Sequence, residues 1–234
     1  MSISPDVSRT HGFASSVGVH SFWRRLKSLS GNSLHNNLSL LATIPARVTS
    51  AIYYPRVFGS FGRRSQMQSP LLLHNPQFMH IGSHVSIRNG IRLQALQTNP
   101  ERIPLLRIGD GSMIEQFVHI VCHNRIIIGS NVAIAPMCGI VDSTHPWLDS
   151  PEVTNPGTRV IDDDGFVEIG DGTFVGMGTV ILPNVRIGKQ CYIGANSVVV
   201  SDIPDYSLAA GTPAKVIRTR EASSTLESVG HLMP

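Results

Sequence analysis

The side chain best suited to chemistry is His145, in the run Asp142-Ser-Thr-His145-Pro146-Trp147-Leu-Asp149. An imidazole with an ordinary pKa of about 6.5 is mostly free base at neutral pH, so it can take a proton from an attacking hydroxyl and hand it on. Asp142 is a candidate to orient that ring through its second nitrogen, or else to make a local turn hydrogen bond. Trp147 either lines a ligand site or packs the base of the loop that follows. His119 and His123 are candidates to bind a hydroxyl-rich ligand, although His123 also falls where the pattern described below calls for positive φ, which His tolerates. Lys215 and Arg218, three positions apart, suit a dispersed polyanion, or else a solvated face. The four histidines His80, His84, His119 and His123 raise the alternative of a zinc site.

The elements that would position these groups are read from a repeat. An aliphatic residue recurs every six positions: Ile81, Ile87 and Leu93; Ile108, Ile114 and Ile120; after two extra residues, Ile128, Ile134 and Ile140; then Ile169, Val175, Ile181, Ile187, Ile193 and Val199. Helices repeat near 3.6 and strands at 2, so a period of six calls for a short strand plus a corner. Gly often follows the aliphatic, as at Gly109, Gly129 and Gly170. Three positions after it stand residues that tolerate positive φ, such as Gly111, Asn131, Gly172 and Asn196. Four after it the side chain is small or β-branched, as in Ser112, Thr173 and Ser197. Three such units close one coil, and each coil supplies hydrogen-bond partners to the next. The fold class expected is an all-β solenoid. His145 then stands at the last position of a repeat, where the chain leaves the solenoid.

Composition agrees. Charged residues make up 15% of the 234, below the usual quarter or so, while Gly numbers 21. A net charge of +3 with no basic stripe gives no case for nucleic acid. Three cysteines without CxxC spacing, Cys122, Cys138 and Cys191, read as a reducing compartment, and no apolar signal segment opens the chain. The expectation is a cytoplasmic protein. Residues 1–70 fall outside the repeat and are expected to form a partly helical cap, with short helices over 22–27 and 34–48. Phe22, Trp23, Arg24, Arg25 and Lys27 leave open a weak association of residues 20–30 with a membrane surface. The repeat is expected over 71–203, broken by a loop at 97–104 and a longer one at 146–166 that follows directly on His145. Residues 204–234 then form a terminal segment and a mobile tail. Loops as long as the second are usually functional.

The units IGDGTF, VGMGTV, ILPNVR, IGKQCY and IGANSV resemble the hexapeptide-repeat acyltransferases, over roughly residues 80–220. The resemblance implies a left-handed parallel β-helix, a homotrimer with active sites between subunits, and acetyl-CoA as co-substrate without a metal. Thr-His-Pro at 144–146 is similar to the motif that carries the catalytic His of galactoside and maltose acetyltransferases, which assigns His145 as general base. The same resemblance places Met177 and Ala195 along the pantetheine arm and Phe174 where relatives often have Trp. The segment GTPAKVIR brings Lys215 and Arg218 near the nucleotide phosphates. Ser201 stands where relatives often carry a Lys, so one cation is missing. Glu115 occupies the place of a cleft Asn, which leaves the acceptor open. The activity implied is O-acylation of a sugar or surface polysaccharide precursor. The alternatives are N-acylation of an amino sugar nucleotide, a zinc carbonic-anhydrase-like enzyme on the same fold, and a non-catalytic scaffold.

Overall fold

In the computed structural model the chain divides into a unit of Met1–Ile44 and one of Pro45–Pro234. The residues described are 43–145, 155, 157, 159–161 and 163–221. The second unit is a three-sided solenoid, a left-handed parallel β-helix. Its first face stacks Ser60–Phe61, Met79–Ile81, Leu105–Ile108, Arg125–Ile128, Phe166–Ile169 and Val185–Ile187. The second face begins with Gln66–Met67 and runs through Met113–Ile114, Ala133–Ile134, Phe174–Val175 and Tyr192–Ile193 to Ser207–Gly211. The third carries Leu72–His74, Arg92–Ala95, His119–Cys122, Gly139–Val141, Val180–Ile181 and Val198–Val199.

The six-residue period is thus one face per unit. Its aliphatics point inward as three columns: Ile81, Ile108, Ile128, Ile169 and Ile187; Met67, Ile87, Ile114, Ile134, Val175 and Ile193; Leu93, Ile120, Ile140, Ile181 and Val199. All are buried and each stands in register with its counterparts one coil away, so apolar burial is the main stabilising term. The hydroxyls four positions on bridge coils. Ser112 donates to the Gly129 carbonyl at 2.9 Å and accepts from Val132 N–H at 3.1 Å, and Thr173 does the same between Gly188 and Cys191. Glycines at the corner between first and second faces stack so closely that a Cβ on Gly109 would lie 2.5 Å from the Gly129 carbonyl carbon.

The solenoid starts earlier than residue 71. Phe61 pairs with Ile81 and Met67 with Ile87, so a first coil is already complete by His74. Its units escape the pattern because Phe61 and Met67 replace the aliphatics that marked the others. Of the region expected to form an N-terminal cap, the described part from residue 43 carries helices α1 (Ile44–Ile52) and α2 (Tyr54–Val57) before the first strand. Tyr54, Phe58 and Phe61 cluster with ring centroids 5.3–5.6 Å apart over the first coil. At the other end an antiparallel hairpin, Ser207–Gly211 with Ala214–Thr219, closes the second face and covers its edge.

Ile134 lies mid-stack with no exposed surface. Ile134→Ala should lower unfolding stability by about 2–5 kcal/mol, read as a shifted denaturant midpoint at constant slope. A loss near zero would contradict the packed prism.

Candidate active site

His145 follows the third-face strand Gly139–Val141, at the edge where the chain turns toward the first face. Its side chain is exposed, and Nδ1 lies 2.5 Å from the Arg159 carbonyl oxygen. A carbonyl only accepts, so Nδ1 carries the proton, and in the neutral ring Nε2 keeps its lone pair. The arrangement presents an oriented base to solvent. The limb that supplies the carbonyl is pinned beside it, with Ile161 N–H donating to the Thr144 carbonyl at 2.9 Å.

Asp142 does not orient this ring. It is fully buried, and its carboxylate accepts from three successive backbone N–H groups: His123 at 2.7 Å, Asn124 at 2.9 Å and Arg125 at 2.7 Å. Burial pushes its pKa up, and the three donors pull it back. Asp142 therefore closes the corner one coil below, where the two extra residues interrupt the period. The same interruption removes His123 from the proposed acceptor surface. It is 2% exposed, with Nε2 2.6 Å from Thr98 Oγ1. Nor does it have positive φ: the two strands His119–Cys122 and Arg125–Ile128 extend into the space where the corner would stand. Elsewhere the third-position rule holds for bulky residues too, including His84, Phe117, Met137, Gln190 and Tyr206.

His119 points outward from the third face, between Arg92 and Gly139 in neighbouring coils. Its Nε2 is buried with no hydrogen-bond partner among the described residues, and burial with the nearby Arg92 charge lowers its pKa. Glu115 stands at the edge between second and third faces, 3.7 Å from Arg88. The four histidines considered for zinc occupy different places: His80 on the first face, His84 at its corner, His119 on the third face and His123 at the next edge. Among the described residues no group of three His, Cys, Asp or Glu side chains is arranged to hold a metal ion. Trp147 lies outside the described residues, as do residues 20–30.

The residues assigned to the donor sit on other parts of the prism. Met177 and Ala195 occupy the edge between second and third faces, where Met177 is 50% exposed and Gly178 and Asn196 have positive φ. Phe174 lies on the outer second face with its ring 6.0 Å from that of Tyr192. Lys215 and Arg218 are exposed on the last strand and form no ion pair among the described residues, while Ser201 lies exposed in the last coil. Arg218 also lines a cleft of about 440 Å³ with Tyr192, Tyr206, Leu208 and Arg220. The repeat did not reveal two features of these edges. Phe117 (φ 58°) and Met137 (φ 62°) hold bulky apolar side chains exposed in left-handed backbone, and the Arg159 carbonyl is a main-chain group with no sequence signature.

Residues 166–201 match the family model described as bacterial transferase hexapeptide (six repeats). That stretch makes up the last full coils of the solenoid, and its six-residue unit is the one that this model describes. A protein of Saccharomyces cerevisiae named as the putative acetyltransferase YJL218W is 39% identical over 125 residues, covering 50% of this chain and 59% of that protein. The galactoside O-acetyltransferase of Lactococcus lactis is 40% identical over 93 residues, covering 40% and 42%. An Escherichia coli protein named as the putative lipopolysaccharide biosynthesis O-acetyl transferase WbbJ is 28% identical over 155 residues, covering 64% and 76%. The chain spans about half the length of the first relatives it matches. The N-acyltransferase AntD of Bacillus cereus, solved as a point mutant in complex with dTDP and coenzyme A, shares the fold. Its TM-score is 0.57 at 20% identity, covering 70% of this chain and 86% of that one.

The Asp142 geometry makes a specific prediction. Asp142→Asn leaves at least one buried N–H facing an amide that cannot accept, so stability should fall by about 1–3 kcal/mol in a denaturant titration. Unchanged stability would contradict the corner-closing role.

Proposed function

We propose that this protein is an acyl-CoA-dependent O-acyltransferase that moves acetyl from acetyl-CoA to a hydroxyl of a sugar or polysaccharide precursor. The observation that carries the reading is His145, an exposed base whose Nδ1–H is tied to a backbone carbonyl, leaving Nε2 free to accept a proton. In the reaction Nε2 accepts the acceptor's hydroxyl proton as that oxygen attacks the thioester carbonyl carbon. Collapse of the tetrahedral species breaks the carbon–sulfur bond, and the proton held on Nε2 passes to the departing coenzyme A sulfur. The thioester is already activated, so no enzyme nucleophile is needed. The thiols of Cys122, Cys138 and Cys191 are buried and pushed to higher pKa by that burial, which suits packing rather than attack.

The edge between second and third faces fits a pantetheine arm. Ala195 presents a small exposed side chain there, and exposed Phe117, Met137 and Met177 form an apolar rim. Lys215 and Arg218 supply cations for phosphates, with Ser201 in place of a further one.

His145 and that edge lie on different sides of one prism, so a complete site needs a second copy. We assign the active form as a homotrimer in which one subunit's donor edge meets the His145 edge of another. Exposed Met113, Phe174, Tyr192 and Leu208 line the second face in one column and favour burial against such a partner. The O-acyl choice rests on the Thr-His-Pro setting and on relatives named for galactoside and lipopolysaccharide O-acetylation. Among the described residues no helix is long and apolar enough to cross a membrane.

The test is acetyl-CoA consumption with a panel of sugars, amino sugar nucleotides and polysaccharide fragments. His145→Ala should lower turnover at least about 10²-fold while coenzyme A binding stays within about twofold of the parent. Undiminished turnover in that variant would remove His145 from the mechanism.

A further inference from the structure

The contacts around His145 single out a residue with no assigned role. Two loops leave the solenoid at the edge between third and first faces, one at 97–104 and one after His145. Arg102, from the first, reaches the returning limb of the second. Its Nη1 donates to the Asp163 carbonyl and pairs with Asp164 Oδ1 at 2.9 Å. Arg102 is 26% exposed along its side chain, whereas Asp164 is 94% exposed.

The same limb is fixed at its other points by the core of the site. Ile161 N–H bonds the Thr144 carbonyl, and Asn124 Nδ2 donates to the Gly165 carbonyl at 2.9 Å. Gly165 itself packs so tightly on Asp142 that an added Cβ would lie 2.0 Å from the Asp142 carbonyl oxygen. Asn124 is in turn held by Asp142, and the base of the first loop is tied down through Thr98 and His123. On this limb, two residues before Ile161, lies Arg159, whose carbonyl receives His145 Nδ1–H. Arg102 crosses from the first loop to this limb.

We propose that Arg102 is a positioning residue for the His145 base: by clamping residues 163–164 it holds the Arg159 carbonyl against Nδ1 and so keeps the lone pair on Nε2. The inference rests on the acyl-transfer reading for its kinetic consequence but not for its structural one. With the clamp released, the limb keeps its anchor at Gly165, so the fold persists, while the stretch beyond the clamp, Arg159 to Ile161, loosens against Thr144 and His145. What is lost is the fixed distance between carbonyl and ring. An exposed ion pair such as Arg102–Asp164 adds little to global stability, which separates its effect on geometry from an effect on folding.

The experiment uses the full chain with Arg102→Gln, Arg102→Lys and Asp164→Asn. In the parent, 15N spectra of histidine-labelled protein, with His145 assigned through His145→Ala, should show one neutral tautomer protonated on Nδ1. Arg102→Gln should shift that resonance toward mixed tautomers and lower kcat about ten- to hundredfold, with KM for acetyl-CoA and the thermal midpoint nearly unchanged. Arg102→Lys should restore a large part of both signals, and Asp164→Asn should move both in the same direction by less. An unaltered His145 tautomer in Arg102→Gln overturns the proposal whatever the turnover. A shifted tautomer in a protein with no acyl-transfer activity would uphold the clamp and refute the catalytic reading instead.

Discussion

Each coil of this solenoid leaves its backbone amides unsatisfied until another coil lies against it. The register is continuous along all three faces, with Ile108, Ile128, Ile169 and Ile187 paired in succession on the first. Because the amides and carbonyls are satisfied between coils, the chain can depart from the prism only at an edge, and only if the departing corner finds other acceptors. The Asp142 carboxylate supplies them for His123, Asn124 and Arg125. Asp110, Asp171 and Asp205 accept from backbone N–H groups in the same way at regular corners. Corner carboxylates in this protein are thus devices for turning the chain.

That arrangement explains how an exposed histidine on a loop acquires a fixed orientation. The third-face strand delivers Thr144 and His145 to the edge, the returning limb lies alongside, and a carbonyl from that limb fixes the tautomer. A side-chain carboxylate is commonly imagined in this role because it can be seen in a sequence. A backbone carbonyl serves equally well as an acceptor for Nδ1–H and does not compete with Nε2 for the proton.

The fold was legible because its periodicity coincides with its packing: the aliphatics at every sixth position are the three inner columns, and the third-position rule held even for Phe117, Met137 and Tyr206. It failed where the period slips by two residues, which misplaced His123 in a left-handed corner. It also missed the first coil, whose Phe61 and Met67 depart from the pattern. At the candidate site, residue types identified the exposed His and the exposed cations Lys215 and Arg218. They did not reveal what orients His145, because the partner is main chain from a residue fourteen positions away. They left Asp142 open between orienting the ring and a turn hydrogen bond, and its proximity in sequence does not translate into proximity of side chains when the strand points it inward.

The central claim is that an edge of one prism presents His145 Nε2 to a thioester lying on the edge of another. A crystal structure of the protein with bound coenzyme A tests it most directly. The account predicts the sulfur of the pantetheine arm beside Met177 or Ala195 of one subunit. The Nε2 of a neighbouring subunit's His145 should then be close enough for an acceptor hydroxyl to sit between them, each heavy-atom contact about 3 Å. Coenzyme A bound elsewhere, or lying on that edge with no His145 from any subunit within reach, would contradict it.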